Sequence, residues 1–143
     1  MVSHCLNYQL QYRKKSSENL LIKTHQQIAE GLQIKLNNAK VMYLTTDSWT
    51  SRSNESYIAV TAHYIDEQSK LCSFTIGYIQ YNERHTAENM LDFLKNKIQE
   101  WQISHKIDAV LSDNVPNILL TVKMDNWTSV RCFSHSLNLV VQK

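Results

Sequence analysis

The sequence predicts an α/β fold on one mixed β-sheet: three antiparallel strands, then two more reached through helical crossovers. Three observations carry this. Between Val41 and Tyr81, three runs rich in β-branched and aromatic residues follow one another over short polar connections, which favours an antiparallel meander. Beyond His85 the apolar residues change period, from alternation to helical spacing. The short apolar run Ile107–Leu111 follows that helix, and a strand reached through a helix favours a parallel neighbour.

Residues 1–19 are polar around Arg13-Lys14-Lys15 and carry little periodic signal, so they read as a solvated tail. Leu21, Ile28, Leu32 and Leu36 recur at helical spacing, with a stop expected near Asn37-Asn38. The expected organisation is a tail and amphipathic helix over residues 1–39 and a core over 40–143.

Within the core, Val41–Thr45 reads as a strand buried on both faces, ending at Asp47. Tyr57–Tyr64 and Leu71–Tyr81 make the second and third strands, separated by the turn Asp66-Glu67-Gln68-Ser69. Ala87, Met90, Leu91, Leu94, Ile98 and Trp101 fit one helix face, and Thr86 is suited to cap it. Asp113 ends the fourth strand. Pro116 suits the first position of a further helix, Val130-Arg131-Cys132 suits a short fifth strand, and Ser134 suits the cap of a last helix. Three antiparallel strands followed by parallel crossover strands, with flanking helices, is an α/β sheet of the ribonuclease-H-like kind.

Composition narrows the function classes. An apolar fraction of 43% against 20% charged suits a chain that buries a core. Lys+Arg 15 against Asp+Glu 13 gives +2, too little to require nucleic acid on charge alone. Cys5, Cys72 and Cys132 are odd in number and widely spaced, so they form no disulfide framework and suit a reducing compartment. No apolar run approaches the roughly 18 residues of a membrane span. The N-terminus has no charged and apolar leader pattern, so neither membrane nor secretion is expected. A Gly-rich phosphate loop, a nucleophile elbow and an HExxH pair are all missing.

What remains is a pair of aspartates. Asp47 follows one apolar run and Asp113 another, and carboxylates delivered by neighbouring strand ends can hold Mg²⁺ against a phosphate. The alternative for each is a turn former or helix cap. A third acidic ligand would complete the usual set. Glu55, Glu83, Glu88 and Asp125 are the candidates, and none follows the last strand, so the third ligand is absent.

Cys132-Phe133-Ser134-His135 has the look of half a zinc site. A structural site needs four ligands and there is no second pair, so zinc within the chain is not expected. The alternatives are a buried Cys and a hydrogen-bonded His, or His135 facing the crevice beside Asp113. His85 precedes a helix N-terminus, where it can meet an anion or simply sit in a loop. Trp49, Trp101 and Trp127 can stack on bases; Trp101 reads as core and Trp127 as a turn closure.

Four blocks resemble one family. Thr45-Thr46-Asp47-Ser48-Trp49-Thr50-Ser51, Arg84-His85-Thr86-Ala87-Glu88-Asn89, Ser112-Asp113-Asn114 with Asn117, and Cys132–Leu139 are similar in order to blocks of hAT-superfamily DNA transposases and the zinc finger BED domain-containing proteins derived from them. The resemblance implies a ribonuclease-H-like core in which Asp47, Asp113 and His135 are catalytic and Asp47 and Asp113 hold Mg²⁺; with the third acidic ligand absent, Mg²⁺ binding by this chain is expected to be weak or lost. Trp49, Arg52, His85 and Asn114 are expected to meet nucleic acid. It also implies a BED finger upstream, and a helical insertion, a third acid and a dimerisation region downstream. The sequence resembles the front half of such a core, so a truncated fold is expected. From this follow a nuclear location, weak binding to DNA, association with itself through the truncated edge, and no strand transfer by this chain alone. A full-length active transposase and a domesticated DNA- or protein-binding regulator are the alternatives. Val115-Pro116 departs from the small residues the family usually has after Asp-Asn.

Overall fold

The structure is a computed structural model that describes residues 20–113 and 115–142. Cys5, the Arg13-Lys14-Lys15 triplet and Asn114 lie outside the described residues. Two compact units divide between Ile34 and Lys35. The helix α1 (Leu21–Asn38) runs through that division, and the boundary expected at residue 39 falls just after the helix ends. The last turn of α1 belongs to the second unit. There Leu36 is wholly buried, and Lys106 Nζ donates to the carbonyls of Leu36 at 3.0 Å and Asn37 at 2.7 Å. A cation on the open carbonyls of a helix C-terminus satisfies groups the helix itself leaves unpaired.

The second unit continues as β1 (Met42–Thr50), β2 (Ser56–Ile65), β3 (Leu71–Gln80), α2 (Ala87–Glu100), a 3₁₀ turn (Ser104–Lys106), β4 (Ile107–Ser112), α3 (Pro116–Met124), β5 (Thr128–Arg131) and α4 (Phe133–Val141). One five-stranded sheet runs in the order β3-β2-β1-β4-β5. β1–β2 and β2–β3 pair antiparallel, and β1–β4 and β4–β5 pair parallel. This is the mixed ribonuclease-H-like sheet that the order of runs predicts.

Two expectations about β1 are corrected. The strand does not end at Asp47; it continues to Thr50 because Ser48, Trp49 and Thr50 pair with Ile58, Tyr57 and Ser56 of β2. Nor is it buried on both faces. Met42, Leu44 and Thr46 are buried while Tyr43, Asp47 and Trp49 are exposed, the alternation of a sheet covered on one side. The covered face carries Met42, Leu44, Ile58, Val60 and Ala62, against the apolar side of α2.

Trp101 Nε1 anchors the end of α2 by donating to the Ile76 carbonyl at 2.8 Å. A Cβ at Gly77 would stand 3.2 Å from Lys97 Cδ, so α2 lies close over β3 there. Thr86 caps α2, its Oγ1 accepting from Asn89 N at 3.3 Å. Thr121 Oγ1, wholly buried on α3, donates toward Ala87 O at 2.9 Å and so joins the two helices. Ser134 does not cap α4. The helix begins two residues earlier than that cap would set it, with Cys132 at the cap position and no side-chain cap bond.

Candidate metal and nucleic-acid site

The β1–β4 ladder places the two aspartates. Leu44 pairs with Val110 and Thr45 with Leu111. The paired register ends there, two residues short of Asp47 on β1 and of Asp113 just past the end of β4; side chains two apart on a strand share a face, so its continuation would bring Asp47 to the side of Asp113. Both therefore lie on the face of the sheet opposite α2. Asp47 is exposed and Asp113 half-buried. Asp113 also serves the turn that follows it: its Oδ1 accepts from Val115 N at a long 3.4 Å, and Pro116 then opens α3. The turn-forming and metal-ligating readings of Asp113 are compatible, because one carboxylate has lone pairs for both.

Of the acidic candidates, Asp125 pairs with Lys95 at 2.6 Å on the far side of α2 and α3, and Glu55 accepts from Tyr57 Oη at 2.9 Å in the β1–β2 hairpin. Among the described residues no group of three His, Cys, Asp or Glu could enclose a metal ion. Two adjacent carboxylates nevertheless suit Mg²⁺, which is commonly bound by one or two carboxylates plus waters and phosphate oxygens.

The Cys-x-x-His block starts next to this pair. Cys132 N donates to Ser112 O at 2.8 Å, one residue before Asp113. His135 then lies in the first turn of α4, half-buried. Trp49 and Arg52 sit farther along β1 and its hairpin, Arg52 exposed. Trp49 stacks on Tyr57, and Tyr57 on Tyr78, with ring centroids 5.8 and 5.9 Å apart. This aromatic ladder crosses three strands on the face that carries Asp47. Tyr57 and Tyr78 gave no signal in the sequence beyond β propensity, because only the register brings them beside Trp49. Hydrogen bonding to the Glu55 carboxylate, then burial, raises the Tyr57 phenol above its usual range.

His85 is turned inward. Its Nε2 is buried without a hydrogen-bond partner, and its ring meets the edge of Tyr81 at 5.1 Å. The His85 carbonyl accepts from Asn117 Nδ2 in the first turn of α3.

On the Asp47 face, His63 bridges two hydroxyls: Nε2 lies 2.9 Å from Thr45 Oγ1 and Nδ1 2.8 Å from Ser73 Oγ. Burial lowers its pKa from the usual 6.5. No sequence signal marks this chain of polar groups, since its members lie on three strands.

With this geometry in place, comparison with known proteins is informative. Residues 45–129, more than half of the chain, match the ZBED1 RNase-like domain. The chain belongs to that family. The matched stretch holds both Asp47 and Asp113, and ends before the Cys-x-x-His block. Among curated relatives, a putative AC transposase of Zea mays is 30% identical over 129 residues, covering 79% of this chain and 16% of the relative. Human zinc finger BED domain-containing protein 6 is 26% identical over 132 residues, covering 80% of this chain and 13% of the relative. The chain thus spans about a sixth or less of the length of these relatives. Among solved structures, the catalytic domain of Mos1 mariner transposase aligns with 90% of this chain and 63% of its own, at 17% identity and a TM-score of 0.32. The chain is an RNase-like domain with relatives among transposases and BED-type zinc finger proteins. No helix among the described residues is long and apolar enough to cross a membrane.

Proposed function

We propose that this RNase-like domain is part of a hAT-type, transposase-derived nuclear protein, and that Asp47 and Asp113 form a divalent-metal site facing a DNA phosphate. The observation that supports this best is the parallel β1–β4 pairing through Thr45–Leu111, just beyond which two carboxylates from distant parts of the sequence follow on the same sheet face. Mg²⁺ held there would supply charge neutralisation for phosphoryl transfer. The residues of the chain do the rest. Asp47 would orient the site from within β1 and Asp113 from just past the end of β4. His135 stands in the helix whose cap residue, Cys132, is bonded to Ser112 O beside Asp113, and would meet the phosphate. Trp49 presents an aromatic surface on the same face, Arg52 a cation at the hairpin, and Asn114 follows Asp113 directly. His85, by contrast, would act from inside, by holding the start of α3 through Asn117.

Two carboxylates without a third acid position a phosphate poorly, and misplacement by about 1 Å can cost some 10²-fold in rate. The chain alone is therefore read as neither cleaving nor joining DNA, in contrast to a longer protein that supplies a third acid. The test is a cleavage and strand-transfer assay of the 143-residue chain with Mg²⁺ or Mn²⁺. No product is expected; product formation that disappears in Asp47→Ala would overturn the inactive reading and establish an enzyme.

A further inference from the structure

Beyond the carboxylates, four buried side-chain polar atoms among the described residues have no hydrogen-bond partner: Thr46 Oγ1, Ser112 Oγ, Tyr81 Oη and His85 Nε2. Two of these belong to the residues immediately before the aspartates. Thr46 is 3% exposed and Ser112 1%. Alternation along a strand turns each hydroxyl to the face opposite its neighbouring carboxylate. The carboxylates stand on the uncovered face and the hydroxyls within the core.

The β1–β4 register ends at Thr45–Leu111, one residue short of Thr46 and Ser112, and its continuation would bring the two hydroxyls to neighbouring positions. Leu44 and Val110, two positions before them, are partners and both wholly buried. Around them the core is apolar: Val60, the β2 partner of Thr46, is wholly buried too. An unpaired hydroxyl in such surroundings is costly. Two such hydroxyls on the same covered face of neighbouring strands have a common remedy, since an internal water typically makes about three hydrogen bonds to buried polar groups of this kind.

The location gives such a link a purpose. The last backbone pair between β1 and β4 is Thr45–Leu111, so both aspartates stand beyond the end of the ladder that holds their strands together. We propose that Thr46 and Ser112 are positioning residues, whose hydroxyls share one internal water that ties β1 to β4 and sets the spacing of Asp47 and Asp113. Each hydroxyl acts through the single peptide that joins it to its aspartate. The purpose rests on the metal-site reading above; the link between the strands does not.

The test compares the 143-residue chain with Thr46→Val/Ser112→Ala, with Ser112→Ala alone and with the hydroxyl-retaining Thr46→Ser. Two readouts are used. Mn²⁺ affinity is expected to fall about tenfold in the double variant, the lower end of what outer-shell groups contribute, and to be retained in Thr46→Ser. Without metal, NMR titration of the Asp47 carboxyl, with Asp113 intact and as Asp113→Asn, reads how strongly the two carboxylates interact; that interaction should weaken in the double variant and return in Thr46→Ser. Far-UV circular dichroism should not change, which separates positioning from unfolding, and Ser112→Ala decides the matter if the double variant does not fold. If the wild-type chain binds no Mn²⁺ but the carboxylate interaction follows the hydroxyls, the metal reading fails and the positioning role stands. If metal affinity and carboxylate interaction are both indifferent to the hydroxyls, or a crystal structure shows no shared water between them, the proposal is overturned.

Discussion

The behaviour of single side chains here is decided by which sheet face they occupy. His63 sits between the hydroxyls of Thr45 and Ser73 on the Asp47 face, and burial lowers its pKa from 6.5. A lowered folded-state value means that the unfolded chain takes up a proton more readily than the folded one. The contribution of His63 is therefore fully present above pH 6.5 and is lost as pH falls through its folded value. Thermal unfolding followed from pH 7.5 to about 5 should show stability declining toward acid, and His63→Gln should flatten that decline. A variant with the wild-type slope would assign the acid sensitivity elsewhere.

How far the sequence speaks at this scale can be judged from the same residues. Asp47 and Asp113 stand out because each closes an apolar run. The inward turn of His85 and the link from Thr45 through His63 to Ser73 do not, because a histidine in a strand or before a helix has the same neighbours in sequence whichever way its ring points.

At the scale of elements, local chemistry and tertiary pairing share the control. Thr86 was recognisable as the α2 cap because a hydroxyl three residues before an amide is a local arrangement, and the bond to Asn89 N is present. Thr86→Ala should cost about 1 kcal/mol of stability, measurable by urea unfolding; an unchanged midpoint would mean that the cap is dispensable. Leu44, wholly buried in the middle strand β1, should cost about 2–5 kcal/mol when cut to alanine, and a loss below about 1 kcal/mol would contradict its place in the core. The extension of β1 past Asp47 was not legible in the same way. Ser48, Trp49 and Thr50 have no strand pattern of their own; β2 supplies it through pairing. Likewise Ser134 is suited to cap α4, but Cys132 is held to Ser112 O, and the cap falls two residues earlier.

For the whole molecule, the sheet is covered by helices on one face, and large apolar side chains remain exposed elsewhere. On α4, Phe133 is 78% exposed and Val141 76%. On the Asp47 face Ile65, Leu71 and Tyr78 are also exposed. Exposed apolar side chains of this size favour association where they cluster. Sedimentation at rising concentration should show self-association, reduced in Phe133→Ser/Val141→Ser; a monomer throughout would remove the self-association reading. With a net charge of +2, retention on DNA should be weak and should fall steeply with salt. Affinity that is tight and insensitive to salt would point to a recognition surface outside the residues named here.

Asp47 and Asp113, carried by strands that pair in parallel up to Thr45–Leu111, are proposed to form a single divalent-metal site. Isothermal titration of Mn²⁺ into the wild-type chain, Asp47→Asn and Asp113→Asn tests it most directly. One site in the wild type, lost in both variants, is the predicted result. Mn²⁺ binding that survives either substitution unchanged, or no binding by the wild type at all, would contradict it.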